Sequence, residues 1–126
     1  MKKYKYALLL VIGLLSIAII PSCKNKNPSV VKIFVRSASN LLLPGAQVVI
    51  IADIQKNEYT GEFVDTLVTN SEGYVEFDIS EYYTAAGKKI DVGNFDIIIQ
   101  KDNKSGSGYV RSRSHSVSVE TVYLQE

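Results

Sequence analysis

The stretch Thr69-Asn70-Ser71-Glu72-Gly73-Tyr74-Val75-Glu76-Phe77-Asp78-Ile79 decides the fold. Its first half is a turn, with Asn, Ser and Gly close together and Gly73 where a turn calls for positive φ. Its second half alternates strictly: Val75, Phe77 and Ile79 on one side, Tyr74, Glu76 and Asp78 on the other. That is the period of a strand with one face buried and one in water. Working outward, Val30 to Arg36 repeats the pattern with Val31, Ile33 and Val35, and Asn94 to Gln100 repeats it with Phe95, Ile97 and Ile99. Ala46 to Ala52 is apolar on both faces after Gln47, which predicts a central strand covered on both sides or lying beneath a loop. Ser116 to Leu124 closes the chain with Val117, Val119 and Tyr123 on one face. Leu43-Pro44-Gly45 and Lys104-Ser105-Gly106-Ser107-Gly108 read as further turns. Only Ser80 to Ala86 reads as a helical turn, with Ser80 as its cap. About seven short strands with this punctuation predict an all-β domain over residues 30–126, a single antiparallel sandwich.

The N-terminal segment has a different character. Lys2, Lys3 and Lys5 precede an apolar run from Ala7 to Ile20, broken by Gly13 and Ser16. The run is short of the roughly 20 residues a spanning helix needs, and its basic flank gives residues 1–22 the pattern of an export signal. Ile20-Pro21-Ser22-Cys23 resembles a lipobox. In lipoproteins the cysteine thiol carries a diacylglyceryl group and becomes the first residue of the mature chain, and only a thiolate is nucleophilic enough for that thioether. Cys23 is the single cysteine in 126 residues, so no disulfide within the chain competes for it. Residues 23–29 then read as the lipidated Cys and a polar tether, reaching about 20 Å when extended. Such an anchor places the domain at a membrane. Three of the 14 Lys and Arg lie ahead of Cys23, leaving 11 against 13 Asp and Glu. That mixed-sign balance excludes nucleic acid as a partner, which would call for a concentrated basic patch.

Val31-Lys32-Ile33-Phe34-Val35, Pro44-Gly45-Ala46-Gln47-Val48-Val49-Ile50 and Asp65-Thr66-Leu67-Val68-Thr69-Asn70-Ser71-Glu72-Gly73-Tyr74-Val75-Glu76-Phe77 together resemble the carboxypeptidase regulatory-like (transthyretin-like, prealbumin-like) β-sandwich. Lys88-Lys89-Ile90-Asp91-Val92 and Val122-Tyr123-Leu124 resemble the ending of small Bacteroidetes lipoproteins of this kind. The resemblance implies an immunoglobulin-like or transthyretin-like sandwich. It specifies almost nothing about activity, because this architecture hosts many roles. One transthyretin-like branch hydrolyses a purine-degradation intermediate with several histidines, an arginine and a C-terminal Tyr-Arg-Gly-Ser tail. Here there is one histidine, and the chain ends Val122-Tyr123-Leu124-Gln125-Glu126. In Bacteroidetes-type lipoproteins an acidic stretch after the cysteine favours surface display. Lys24 and Lys26 stand there instead, so the expected place is the outer membrane, facing the periplasm.

Few side chains suggest chemistry. His115 lies in Arg111-Ser112-Arg113-Ser114-His115-Ser116, but neighbours on a strand point to opposite faces, so neither serine is placed for activation by it; it reads as a surface histidine. Asp53, Asp65, Glu72, Glu76 and Asp78 lack the spacing of a calcium loop, and no metal or cofactor is expected. Tyr59, Tyr82 and Tyr83 are candidates for an aromatic platform facing a partner or glycan, against ordinary packing at sheet edges. Asp65-Thr66-Leu67 resembles a Bacteroidetes O-glycosylation signal, with Thr66 facing inward beside Val64 and Val68 as the competing reading. The sequence therefore predicts no enzyme, but a lipid-anchored envelope module that binds or scaffolds another envelope component. Alternatives are a carbohydrate-binding accessory lipoprotein of a polysaccharide-uptake system and a secretion-system accessory lipoprotein.

Overall fold

A computed structural model describes residues 27–87 and 90–125. The signal expected over 1–22 and the lipidation expected at Cys23 lie outside the described residues. Seven strands and one short helix follow in order: β1 (Val30–Arg36), β2 (Gln47–Ala52), β3 (Val64–Val68), β4 (Tyr74–Asp78), α1 (Ser80–Ala86), β5 (Val92–Lys101), β6 (Lys104–Arg113) and β7 (Val117–Tyr123). They form an all-β sandwich of a three-stranded sheet, β4-β1-β7, and a four-stranded sheet, β3-β2-β5-β6.

The core is the set of side chains that the alternation had aimed inward. Val31, Ile33, Val35, Phe77, Ile79, Phe95, Ile97 and Ile99 are fully buried, and Val75 nearly so. From the β2 run, Val48 and Ile50 join them across the layer. The turn ahead of β4 forms as its residues require. Gly73 has φ 79°, its N–H donates to the Asn70 carbonyl, and the Asn70 side-chain oxygen accepts the N–H groups of Glu72 and Tyr74. Thr69 beside it is buried. Its hydroxyl donates to the Leu43 carbonyl at 2.7 Å and accepts the Ala46 N–H at 2.9 Å, tying this turn to the start of β2.

Four expectations are corrected. The sandwich is not wholly antiparallel, because β7 runs parallel to β1 from Val30↔Val117 to Arg36↔Tyr123. The chain turns at 114–116, where His115 has φ 56°, so β7 starts at the same end as β1. Residues 104–108 are strand rather than turn. Gly106 and Gly108 let β6 approach β7 closely: a Cβ at Gly106 would collide with the Tyr123 carbonyl, and one at Gly108 would lie 2.7 Å from a Val122 methyl. Val117, Val119 and Tyr123 do share a face, but it is the exposed one, and Val122 is the buried member of β7. Ser80 does not cap α1; its hydroxyl accepts the Ser29 N–H instead.

Gly106→Ala is expected to lower stability by about 2 kcal/mol, the cost of forcing atoms into a filled space. Urea unfolding measures it, and a midpoint equal to wild type would show that β6 does not depend on the glycine.

Candidate functional site

Tyr59, Tyr82 and Tyr83 do not form a surface platform. Tyr82 and Tyr83 are 2% and 7% exposed, because α1 lays both rings into the sandwich end. Tyr82 meets Tyr83, Phe95 and Tyr59 edge-on at 5.1–5.4 Å. The Tyr83 hydroxyl donates to the Ser112 carbonyl at 3.0 Å and that of Tyr82 to the Tyr59 carbonyl at 3.3 Å. The planes of Tyr82 and Tyr83 are 82° apart, so the co-planar exposed pair that a glycan platform calls for is missing. Burial raises both phenols above their usual range.

Thr66 is exposed, as are Val64 and Val68, so the inward-facing alternative is corrected. The five residues of β3 are all exposed; it is an edge strand with β2 as its neighbour in the sheet. The acids are occupied locally rather than gathered. Asp65 accepts the Thr66 N–H, Asp78 the Ser80 N–H, and Glu76 lies 3.8 Å from Lys32. Asp53 accepts the N–H groups of Gln55 and Lys56; burial pushes its pKa up, but these bonds and the Lys56 ammonium outweigh it and hold the carboxyl below its usual range. Among the described residues no three His, Cys, Asp or Glu side chains come together as a metal group.

Concavities gather at the end of the sandwich where β1 begins. The first, about 440 Å³, is lined by Ser29, Ser80, Tyr83, Ile90, Asp91 and His115, among others. His115 is exposed, its backbone N–H donates to the Ser29 hydroxyl at 2.7 Å, and its Nδ1 lies 2.7 Å from the Asn27 carbonyl. The second, about 730 Å³, runs between the turn after β2 and the start of β3, over Ile51, Ile54, Phe63, Val64, Glu62 and Asp96. It opens onto the outer face of the four-stranded sheet. There the register aligns Val64, Ile51, Asp96 and Tyr109 in one row, and Thr66, Val49, Ile98 and Ser107 in the next. Val64, Val68, Ile98 and Tyr109 on that face are exposed. The apolar both-face pattern of β2 is the sequence signal for it: the strand is central, as expected, but Val49 and Ile51 on its outer face are half-buried rather than covered.

No family model and no curated protein matches the chain. Among solved structures, the crystal structure of chlorocatechol 1,2-dioxygenase from Pseudomonas putida is similar over 83% of this chain and 63% of that one, at 14% identity and a TM-score of 0.46. The chain thus spans under two thirds of that protein's length. The expectation that the chain is not an enzyme is withdrawn. His115 and Asp91, from separate segments, line the first hollow together. A likeness at this level transfers no activity.

Raised tyrosine pKa values mean that the folded state holds these protons more tightly than the unfolded chain. Their contribution is complete below about pH 10 and is lost as pH rises beyond it. Tyr83→Phe is expected to cost about 1 kcal/mol at pH 7, for the lost bond to Ser112, and to flatten the alkaline decline. Urea midpoints between pH 7 and 11 read both effects.

Proposed function

We propose that the protein is a lipid-anchored module of the cell envelope that binds or scaffolds another envelope protein, held through Cys23 at the outer membrane and facing the periplasm. We further propose that its sandwich is of the carboxypeptidase regulatory-like, transthyretin-like kind; seven strands in a three-plus-four arrangement support that assignment. The observation that carries the functional reading is the outer face of the four-stranded sheet. Val64 and Val68 are 63% and 62% exposed there and Ile98 46%, beside half-buried Val49 and Ile51. Exposed apolar side chains grouped on one sheet face of a small domain support a contact surface for another macromolecule. The short tether supports the reading too, since three residues separate Cys23 from Asn27, the first described residue, and keep the domain within about 15 Å of an anchor. No observation favours the glycan alternative once Tyr82 and Tyr83 are buried.

A photo-crosslinking residue at Ile98 is expected to trap one envelope protein in intact cells, with a control at Ser71 in the distal turn trapping none. Cys23→Ala is expected to abolish both the acyl label and the crosslink. Equal adducts at positions 98 and 71, or none at 98, would sink the proposal.

A further inference from the structure

The groove at the tether end of the outer face has an electrostatic property that the rest of the face lacks. Its floor is apolar, formed by Ile51, Ile54, Phe63 and Val64, with Ile54 54% exposed. Three carboxylates and one ammonium line it: Asp53, Glu62, Asp96 and Lys56. Asp53 and Lys56 neutralise each other. Their charged atoms are 3.5 Å apart, Asp53 also caps two backbone N–H groups, and the Lys56 ammonium lies 4.5 Å over the Tyr109 ring. Glu62 and Asp96 remain, and neither takes part in an ion pair among the described residues. Asp96 is exposed at mid-strand, registered between Ile51 on β2 and Tyr109 on β6, so a carboxylate without an ion pair lies beside apolar side chains. Covering it with an apolar partner would strand a buried charge. Covering it with a cation would form a charge-assisted pair at a partly desolvated site. At about 730 Å³ the groove is within the size range of sites that enclose a ligand or anchor side chains.

We infer that this groove receives a segment of the protein partner in which a lysine or arginine stands among apolar side chains, the cation meeting Asp96 and Glu62 and the apolar groups covering Ile54 and Val64. The inference rests on the proposed role as a protein-binding module and names the chemistry of the partner. A lipid headgroup fits worse, since anionic phosphate would face the same two carboxylates.

The test uses the full lipidated protein in detergent and fluorescence anisotropy with three labelled hexapeptides, in which valine alternates with arginine, serine or glutamate. The arginine peptide is expected to bind at least tenfold more tightly than the other two, with an affinity that falls as salt is raised. Asp96→Asn and Glu62→Gln, both near-isosteric, are each expected to weaken it several-fold and their combination at least tenfold, whereas Glu72→Gln in the distal turn leaves it unchanged. Thermal melts of each variant establish that the fold is intact. Equal binding of all three peptides, indifference to both substitutions, or no binding of the arginine peptide at millimolar concentration would each overturn the assignment. The parent reading is tested separately by the Ile98 crosslink: a trapped partner with no peptide selectivity removes the groove assignment alone, and selectivity with no trapped partner removes the envelope-partner reading alone.

Discussion

Strand β1 is bonded to β7 along all seven of its residues and to β4 along its first five, and the sandwich depends on that double ladder. No disulfide within the chain can reinforce it, because Cys23 is the only cysteine, and the core contains no tryptophan. Cohesion falls instead to Val31, Ile33 and Val35, all fully buried, packing toward Phe77, Phe95 and the isoleucines of β5. Immediately ahead of β1, Ser29 extends the clamp. Its carbonyl accepts the Ile79 N–H, its N–H donates to Ser80, and its hydroxyl accepts the His115 N–H. The chain therefore leaves the domain pinned to α1 and to the β6–β7 turn. Ladder hydrogen bonds lie across the strand direction, so β1 is held along both of its edges.

The inward alternation of β1, β4 and β5 was legible in the sequence because one face of each strand is buried and the side-chain period is two. Gly73 was legible because a tight turn after Asn70 leaves few other residues available. The failures have physical causes. Gly106 and Gly108 read as a turn, since glycine is most often conformational punctuation, but here it serves the close approach of β6 to β7. In β7 the apolar residues face outward, and only Val122 is buried, above Gly108. Periodicity identifies which residues share a face and not which face the fold will cover. Tyr82 and Tyr83 were weighed as a platform because tyrosine suits interfaces. Both instead find carbonyl partners inside the domain, at Tyr59 and Ser112, and so satisfy their hydroxyls when buried.

The two outer faces of the sandwich are not equivalent. On the three-stranded sheet, the Lys32 ammonium lies 4.0 Å over the Tyr74 ring and 5.1 Å over Phe34, so a charged side chain covers the aromatic part of that face with its own stem. Val117 and Val119 remain exposed at its edge. On the four-stranded sheet Lys56 covers Tyr109 in the same way while Val64, Val68 and Ile98 stay exposed, and the concave groove lined by Glu62 and Asp96 lies at one end of the same surface. Shape, apolar exposure and unbalanced charge coincide on that face, and this coincidence distinguishes it from ordinary surface hydrophobicity.

Thr66 belongs to the same surface. It stands on β3 between Val64 and Val68 and opposite Val49, with Asp65 accepting its N–H at 2.7 Å. A glycan attached there would project from the middle of the apolar face and keep it hydrated. Modification of Thr66 and burial of Val64 and Val68 against a protein are therefore mutually exclusive uses of one surface. The carboxylate on the Thr66 N–H has a related effect. The bonds that continue the β2–β3 ladder, from Ala52 to Phe63 and from Thr69 to Ala46, imply that Val64, Thr66 and Val68 direct their backbone groups away from β2, toward the open edge. Asp65 occupies the central donor of that edge and adds a charge to it, as edge strands do when they are protected against pairing with other chains. Addition of a strand at β3 is thereby disfavoured, and this side of the sheet presents its side chains rather than its backbone.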